Sequence, residues 1–203
     1  MNVIIISFDI TRKLESLTLL NILKKKYNIN IIYSNRCLNQ NKLLTKFGNN
    51  IKIIFITRTI KDVLISIKNR ELKMGIKWIQ QHYHNLNSDF TDYPKLFIED
   101  TLNFEKLYDS YINTKIFPVL FIKFEKLYSE NNNKTINMIE YFLNIKFEPN
   151  DFKFNKENEL TSNKEIVLSE EEIKQINKTF FSLQNKINKY DYQLINFPIK
   201  TNK

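Results

Sequence analysis

Four short runs rich in β-branched and aromatic residues limit what this chain can fold into. Residues 3–8 read Val-Ile-Ile-Ile-Ser-Phe. A strand with one wet face alternates apolar and polar residues; a nearly unbroken apolar run fits a strand covered on both faces. Residues 29–33, 51–57 and 119–124 form three more runs, the last two admitting single polar positions. Helical spacing lies between them. Leu14, Leu17, Leu20, Ile22 and Leu23 predict a helix over 11–26, and Val63, Leu64 and Ile67 one over 60–72. Further helical stretches fall at 76–85, 104–112 and 135–143. Strand–helix–strand alternation at these lengths predicts βαβ units, hence an α/β fold with a parallel β-sheet flanked by helices.

The closing helix is marked by its own start signal. Ser169-Glu170-Glu171-Glu172 reads as a capping box, and Ile173, Ile176, Phe180, Leu183 and Ile187 follow at helical spacing. One helix is expected from there to about residue 189. Residues 146–168 are polar and uneven and read as a loop. The whole chain, 1–203, reads as a single domain: core 1–145, loop 146–168, C-terminal helix 169–190 and a tail. With 203 residues, 42% of them hydrophobic, it can bury about 70% of its unfolded surface.

The lone cysteine, Cys37, allows no internal disulfide. No run is long and apolar enough for a leader or a bilayer span. A cytoplasmic protein without a membrane span is the expectation. There are no alanines, 2 glycines and 28 asparagines, a skew that tracks AT-rich codons, so asparagine runs such as 131–133 read as solvated loop filler. The net charge of +9 serves solubility or an anionic partner: a phosphorylated nucleotide, an acidic acceptor or nucleic acid. No arginine block or nucleic-acid module accompanies it, so nucleic acid is not expected.

The most informative segment is 52–69. Arg58 stands at the carboxyl end of the third strand, where open α/β sheets bind ligands. Thr59 reads as a helix N-cap with Asp62 three residues on, and Ser66 lies two turns into that helix. A surface arginine and a surface serine are the plain alternative. The run Arg58-Thr59-Ile60-Lys61-Asp62-Val63-Leu64-Ile65-Ser66 resembles the signature by which sulfotransferases hold the 3'-phosphate of their donor, 3'-phosphoadenosine 5'-phosphosulfate (PAPS). The resemblance implies a P-loop NTPase-like sulfotransferase architecture, PAPS as donor, and Arg58 and Ser66 on its 3'-phosphate. A guanidinium fork and a hydroxyl suit that group. Ile60 departs from the family's proline. Residues 117–127, with an aromatic-Glu-x-Leu element, the pair Phe142-Leu143, and residues 168–194 resemble later parts of the same domain.

The family's first strand leads into a phosphate loop holding the 5'-phosphosulfate. Here that stretch carries Asp9, Ile10 and Arg12 in place of proline, the base and glycine. Arg12 and Lys13 remain to meet the transferred group, or else form a solvated first helical turn. No catalytic base is assigned: Ser34-Asn35-Arg36-Cys37 holds neither histidine nor glutamate, and arginine stays protonated. His82 and His84 lack further metal ligands, so no metal is expected. Two functions follow. One is a divergent sulfotransferase moving a sulfuryl group from PAPS to an unidentified hydroxyl or amine acceptor. The other is a catalytically degenerate nucleotide- or anion-binding protein. A nucleotide kinase is disfavoured, since no Gly-x-x-x-x-Gly-Lys-Ser/Thr loop occurs. Acceptor and oligomeric state stay open.

Overall fold

The computed structural model describes residues 2–7, 18–34, 40–63, 65, 105–106, 108–127, 132–148 and 168–197. Among them are strands β1 (Asn2–Ser7), β2 (Asn30–Ser34), β3 (Ile51–Thr57), β4 (Val119–Lys123) and β5 (Leu194–Ile195). The helices are α1 (Thr18–Lys26), α2 (Gln40–Phe47), α3 (Phe124–Leu127), α4 (Asn133–Leu143), α5 (Glu170–Thr179) and α6 (Phe181–Tyr190). Residues 60–63 and 65, and 108–112, are also helical.

The strands form one sheet in the order β2-β1-β3-β4-β5. The first four pair in parallel, and β5 pairs antiparallel with β4. The expected parallel sheet is therefore mixed at one edge. A two-residue strand carries no periodicity to read, and β5 exists because the turn after α6 lies along β4. Tyr192 N–H donates to the Phe121 carbonyl at 2.9 Å, and Phe121 N–H to the Gln193 carbonyl at 3.1 Å.

The apolar runs are explained by two cores, one on each face. Ile4, Ile6, Ile53, Phe55, Val119 and Phe121 face one core, together with Leu43 of α2 and Leu183 and Ile187 of α6. Val3, Ile5, Ile54, Ile56, Leu120 and Ile122 face the other, with Leu23 of α1 and Ile139 and Phe142 of α4. Crossovers of one hand put their helices on opposite faces when the chain steps out to β2 and then back past β1. The opposite packing of α1 and α2 fits this. On the first face Phe55 and Phe121 stack at 5.3 Å, with the Tyr108 ring 5.0 Å from Phe121.

Three further details correct or refine the sequence expectations. The closing helix is two, α5 and α6, divided at Phe180 (φ −108°, ψ 17°); its periodicity continues across the joint. The Ser169 box is closed from both sides: Glu172 N–H donates to Ser169 Oγ at 3.2 Å, and Ser169 N–H to Glu172 Oε2 at 2.8 Å. The asparagines are not all filler. Asn132 is buried before α4, and its Nδ2 donates to the Leu127 carbonyl at 3.4 Å. Asn28, Asn144 and Asn196 take positive φ, the conformation for which glycine is the usual residue and asparagine the next choice. Among the described residues no helix is long and apolar enough to cross a membrane.

Candidate functional site

The strand order decides where a site can form. From β1 the chain moves to β2 on one side and later to β3 on the other, so the order reverses between β1 and β3. Ligands of open α/β sheets bind at the carboxyl ends beside such a switch. Ser7, the last residue of β1, pairs with Ile56. Arg58 lies two residues beyond that pairing.

Arg58 is not a surface arginine; it is 4% exposed. Its guanidinium carbon lies 4.8 Å from the centre of the Phe124 ring, a cation–π arrangement. Its Nε is 3.8 Å from Glu125 Oε1. Phe124 and Glu125 directly follow β4, the neighbour of β3, so two adjacent strand ends build the environment of one guanidinium.

The turn after Arg58 is capped by side chains from three places. Thr59 caps the following helix as its sequence predicts: Asp62 N–H donates to Thr59 Oγ1 at 3.2 Å. The hydroxyl in turn donates to Asp62 Oδ2 in a short bond. Asp62 does not reach back to the Thr59 amide; Glu125 Oε1 accepts that N–H instead, at 3.3 Å. The Ile60 N–H, which the family's proline would lack, donates to Gln184 Oε1 of α6 at 3.0 Å. Gln184 Nε2 donates to Asn188 Oδ1 at 3.2 Å, which also accepts Lys123 Nζ at 2.8 Å. Lys123 N–H donates to Asp191 Oδ1 at 3.1 Å. Thus α6 ties the ends of β3 and β4 together.

Burial raises the Glu125 carboxyl above its ordinary range. Its own backbone N–H, that of Thr59 and the Arg58 charge pull the other way without reversing the shift, while Asp62 adds to the rise. Sequence reading used residues 124–127 only as family support and gave Glu125, Phe124 and Gln184 no place in a site. The strand-end rule that selected Arg58 also selects Phe124 and Glu125. Nothing local marks Gln184, which arrives from a helix more than a hundred residues away.

Of the other sequence-predicted residues, Ser66, Arg12 and Lys13 lie outside the described residues, as do Asp9, Ile10, Arg36, Cys37, His82 and His84. A separate cavity of about 820 Å³ opens at the opposite, amino edge of the sheet, among Lys52, Pro118, Tyr141, Asn144, Lys146 and Phe197. There burial holds the Lys52 ammonium below the ordinary lysine value. It lies 5.5 Å from the Phe142 and Phe197 rings and donates to the Phe142 carbonyl. None of the residues around Arg58 lines that cavity.

Fold and site together define an open α/β domain, helices on both faces, with a buried cation at the strand-order switch. The family model described as the sulfotransferase domain matches residues 25–192, and the chain belongs to that family. The match begins within α1, beyond β1 and residues 8–17. No curated protein and no solved structure matches the chain.

Proposed function

We propose that this chain binds PAPS and transfers its sulfuryl group to a hydroxyl or amine acceptor. Membership of the sulfotransferase domain family supports sulfuryl transfer in general. The donor assignment rests on one observation: Arg58 stands buried at the carboxyl end of β3, beside the end of β1, and a threonine-capped helix begins right after it. In this reading Arg58 and Ser66 hold the 3'-phosphate. The P-loop-like segment follows β1, and Arg12 or Lys13 meets the transferred group. The acceptor oxygen or nitrogen attacks sulfur as the bond from sulfur to the phosphate oxygen breaks. Adenosine 3',5'-bisphosphate leaves, and the acceptor's proton passes to a base or to water. Positioning and charge stabilisation carry such a transfer. A single cysteine agrees with the reducing cytoplasm as its location.

The test is thermal unfolding with and without adenosine 3',5'-bisphosphate. At a hundredfold excess over Kd a ligand stabilises by about 2.7 kcal/mol, which for this length raises the midpoint by roughly 5–10 °C. Arg58→Ala abolishes that rise. No rise in the unsubstituted protein refutes the donor reading. Asp9 and Arg12 in the first loop favour a second reading, a binding protein without turnover. Transfer of labelled sulfate to a panel of hydroxyl and amine acceptors divides the two.

A further inference from the structure

The carboxylate of Glu125 faces the guanidinium proposed to hold the ligand's phosphate. Its Oε1 is 3.8 Å from Arg58 Nε and accepts the Thr59 N–H at 3.3 Å. Its Oε2 is buried and has no hydrogen-bond partner among the described residues. A well-made arginine–carboxylate pair closes to about 2.7–2.9 Å, commonly through two parallel bonds. The Glu125 contact is a full ångström longer. The charged groups facing Glu125 among the described residues are Arg58, at the end of β3, and Asp62, on the helix that follows. One attracts its charge and the other repels it. Glu125 is thus a poorly compensated anion, already displaced toward its neutral form by burial.

We propose that Glu125 is an internal counter-anion of Arg58 that takes up a proton when a phosphate binds there, so that ligand binding is coupled to protonation. The inference rests on the donor reading above. A phosphate on the Arg58 guanidinium puts a second anion against the carboxylate. Two anions sharing one cation favour protonation of the weaker acid. Protonated Glu125 keeps its carbonyl oxygen for the Thr59 N–H and can turn its hydroxyl toward the phosphate as a donor. Glu125 is therefore a positioning residue in the apo protein and a proton acceptor on binding.

The experiment measures the affinity of adenosine 3',5'-bisphosphate between pH 5 and 8 for the unsubstituted protein and for Glu125→Gln. The glutamine keeps an acceptor for the Thr59 N–H and has no charge. Taking the ratio of the two affinities cancels the ligand's own phosphate titration. That ratio is near one at low pH. It grows in favour of Glu125→Gln as pH rises, by about tenfold for each unit by which the bound phosphate raises the Glu125 pKa. A ratio independent of pH overturns the proposal and leaves the donor reading standing. No binding at any pH overturns both. Should Glu125→Gln fail to fold, titration calorimetry of the unsubstituted protein in two buffers of different ionisation enthalpy decides. Net proton uptake is expected. The titrant is inorganic sulfate, which carries no titrating proton between pH 5 and 8, so that uptake reports on the protein alone; no uptake at any pH in that range overturns the proposal.

Discussion

The contact between Gln184 and the Ile60 amide yields a double-mutant prediction. Ile60 is 6% exposed, and its N–H has Gln184 Oε1 at 3.0 Å. Gln184→Ala strands a buried donor, which costs about 1–3 kcal/mol and lowers the midpoint by roughly 2–4 °C for each kcal/mol. Ile60→Pro restores the family residue and removes the N–H altogether. Proline suits the first helical position, since its missing donor is one the helix does not use. Against that gain stands a slightly smaller buried side chain, worth about 1 kcal/mol. In the Ile60→Pro background Gln184→Ala then costs less by about 1 kcal/mol or more, because no donor is left to strand. The bond from Gln184 to Asn188 is lost equally in both backgrounds and cancels. Urea titration of the four proteins gives the coupling energy, expected at about 1 kcal/mol or more. Equal costs of Gln184→Ala in both backgrounds would refute the claim that α6 compensates for the missing proline.

Two further outcomes concern the scaffold. Glu140 is buried in α4; its Oε2 accepts Lys146 Nζ and its Oε1 the Phe147 N–H at 2.6 and 2.7 Å. Burial is the largest single influence and raises its pKa, but the bonds from Lys146 and Phe147 and the Lys146 charge together outweigh it and leave the carboxyl below its ordinary value. A depressed folded-state pKa contributes stability above the unfolded value of about 4.3, and that stability is lost as pH falls through the folded value. Glu140→Gln is therefore less stable by about 1–3 kcal/mol at pH 7. Chemical denaturation at several pH values checks this: the difference narrows in acid, and a constant difference contradicts it. Phe121→Ala empties the centre of the Phe55–Tyr108–Phe121 cluster and costs about 3–5 kcal/mol in urea unfolding; a loss below 1 kcal/mol would mean that cluster does not anchor the sheet.

Local physics made much of this legible in the sequence. An isoleucine run with no polar beat has to be buried on both faces, and β1 is. A serine three residues before a glutamate, with a helical apolar period after it, marks a helix start, and Ser169 is one. Thr59 caps residues 60–63 because its hydroxyl needs to reach only three residues along the chain. Arg58 at a strand end follows from the same short-range pattern. Residues whose roles come from distant partners were not legible. The antiparallel β5 depends on how the turn after α6 meets β4. Phe180 divides the closing helix without breaking its period, and Asn132 looks like its solvated neighbours until the chain before α4 buries it.

The amino-acid order alone decided that there would be parallel strands, helices between them, and an arginine at the tip of the third. Those choices rest on side-chain periodicity and caps, interactions a few residues in range. Tertiary structure alone decided that β3 lies beside β1, that Glu125 faces Arg58, and that Gln184 accepts the Ile60 amide. The hydrogen bonds that Glu125 and Gln184 make to the Thr59 and Ile60 amides join residues 66 and 124 positions apart, and they form only once two cores have packed the sheet between its helices.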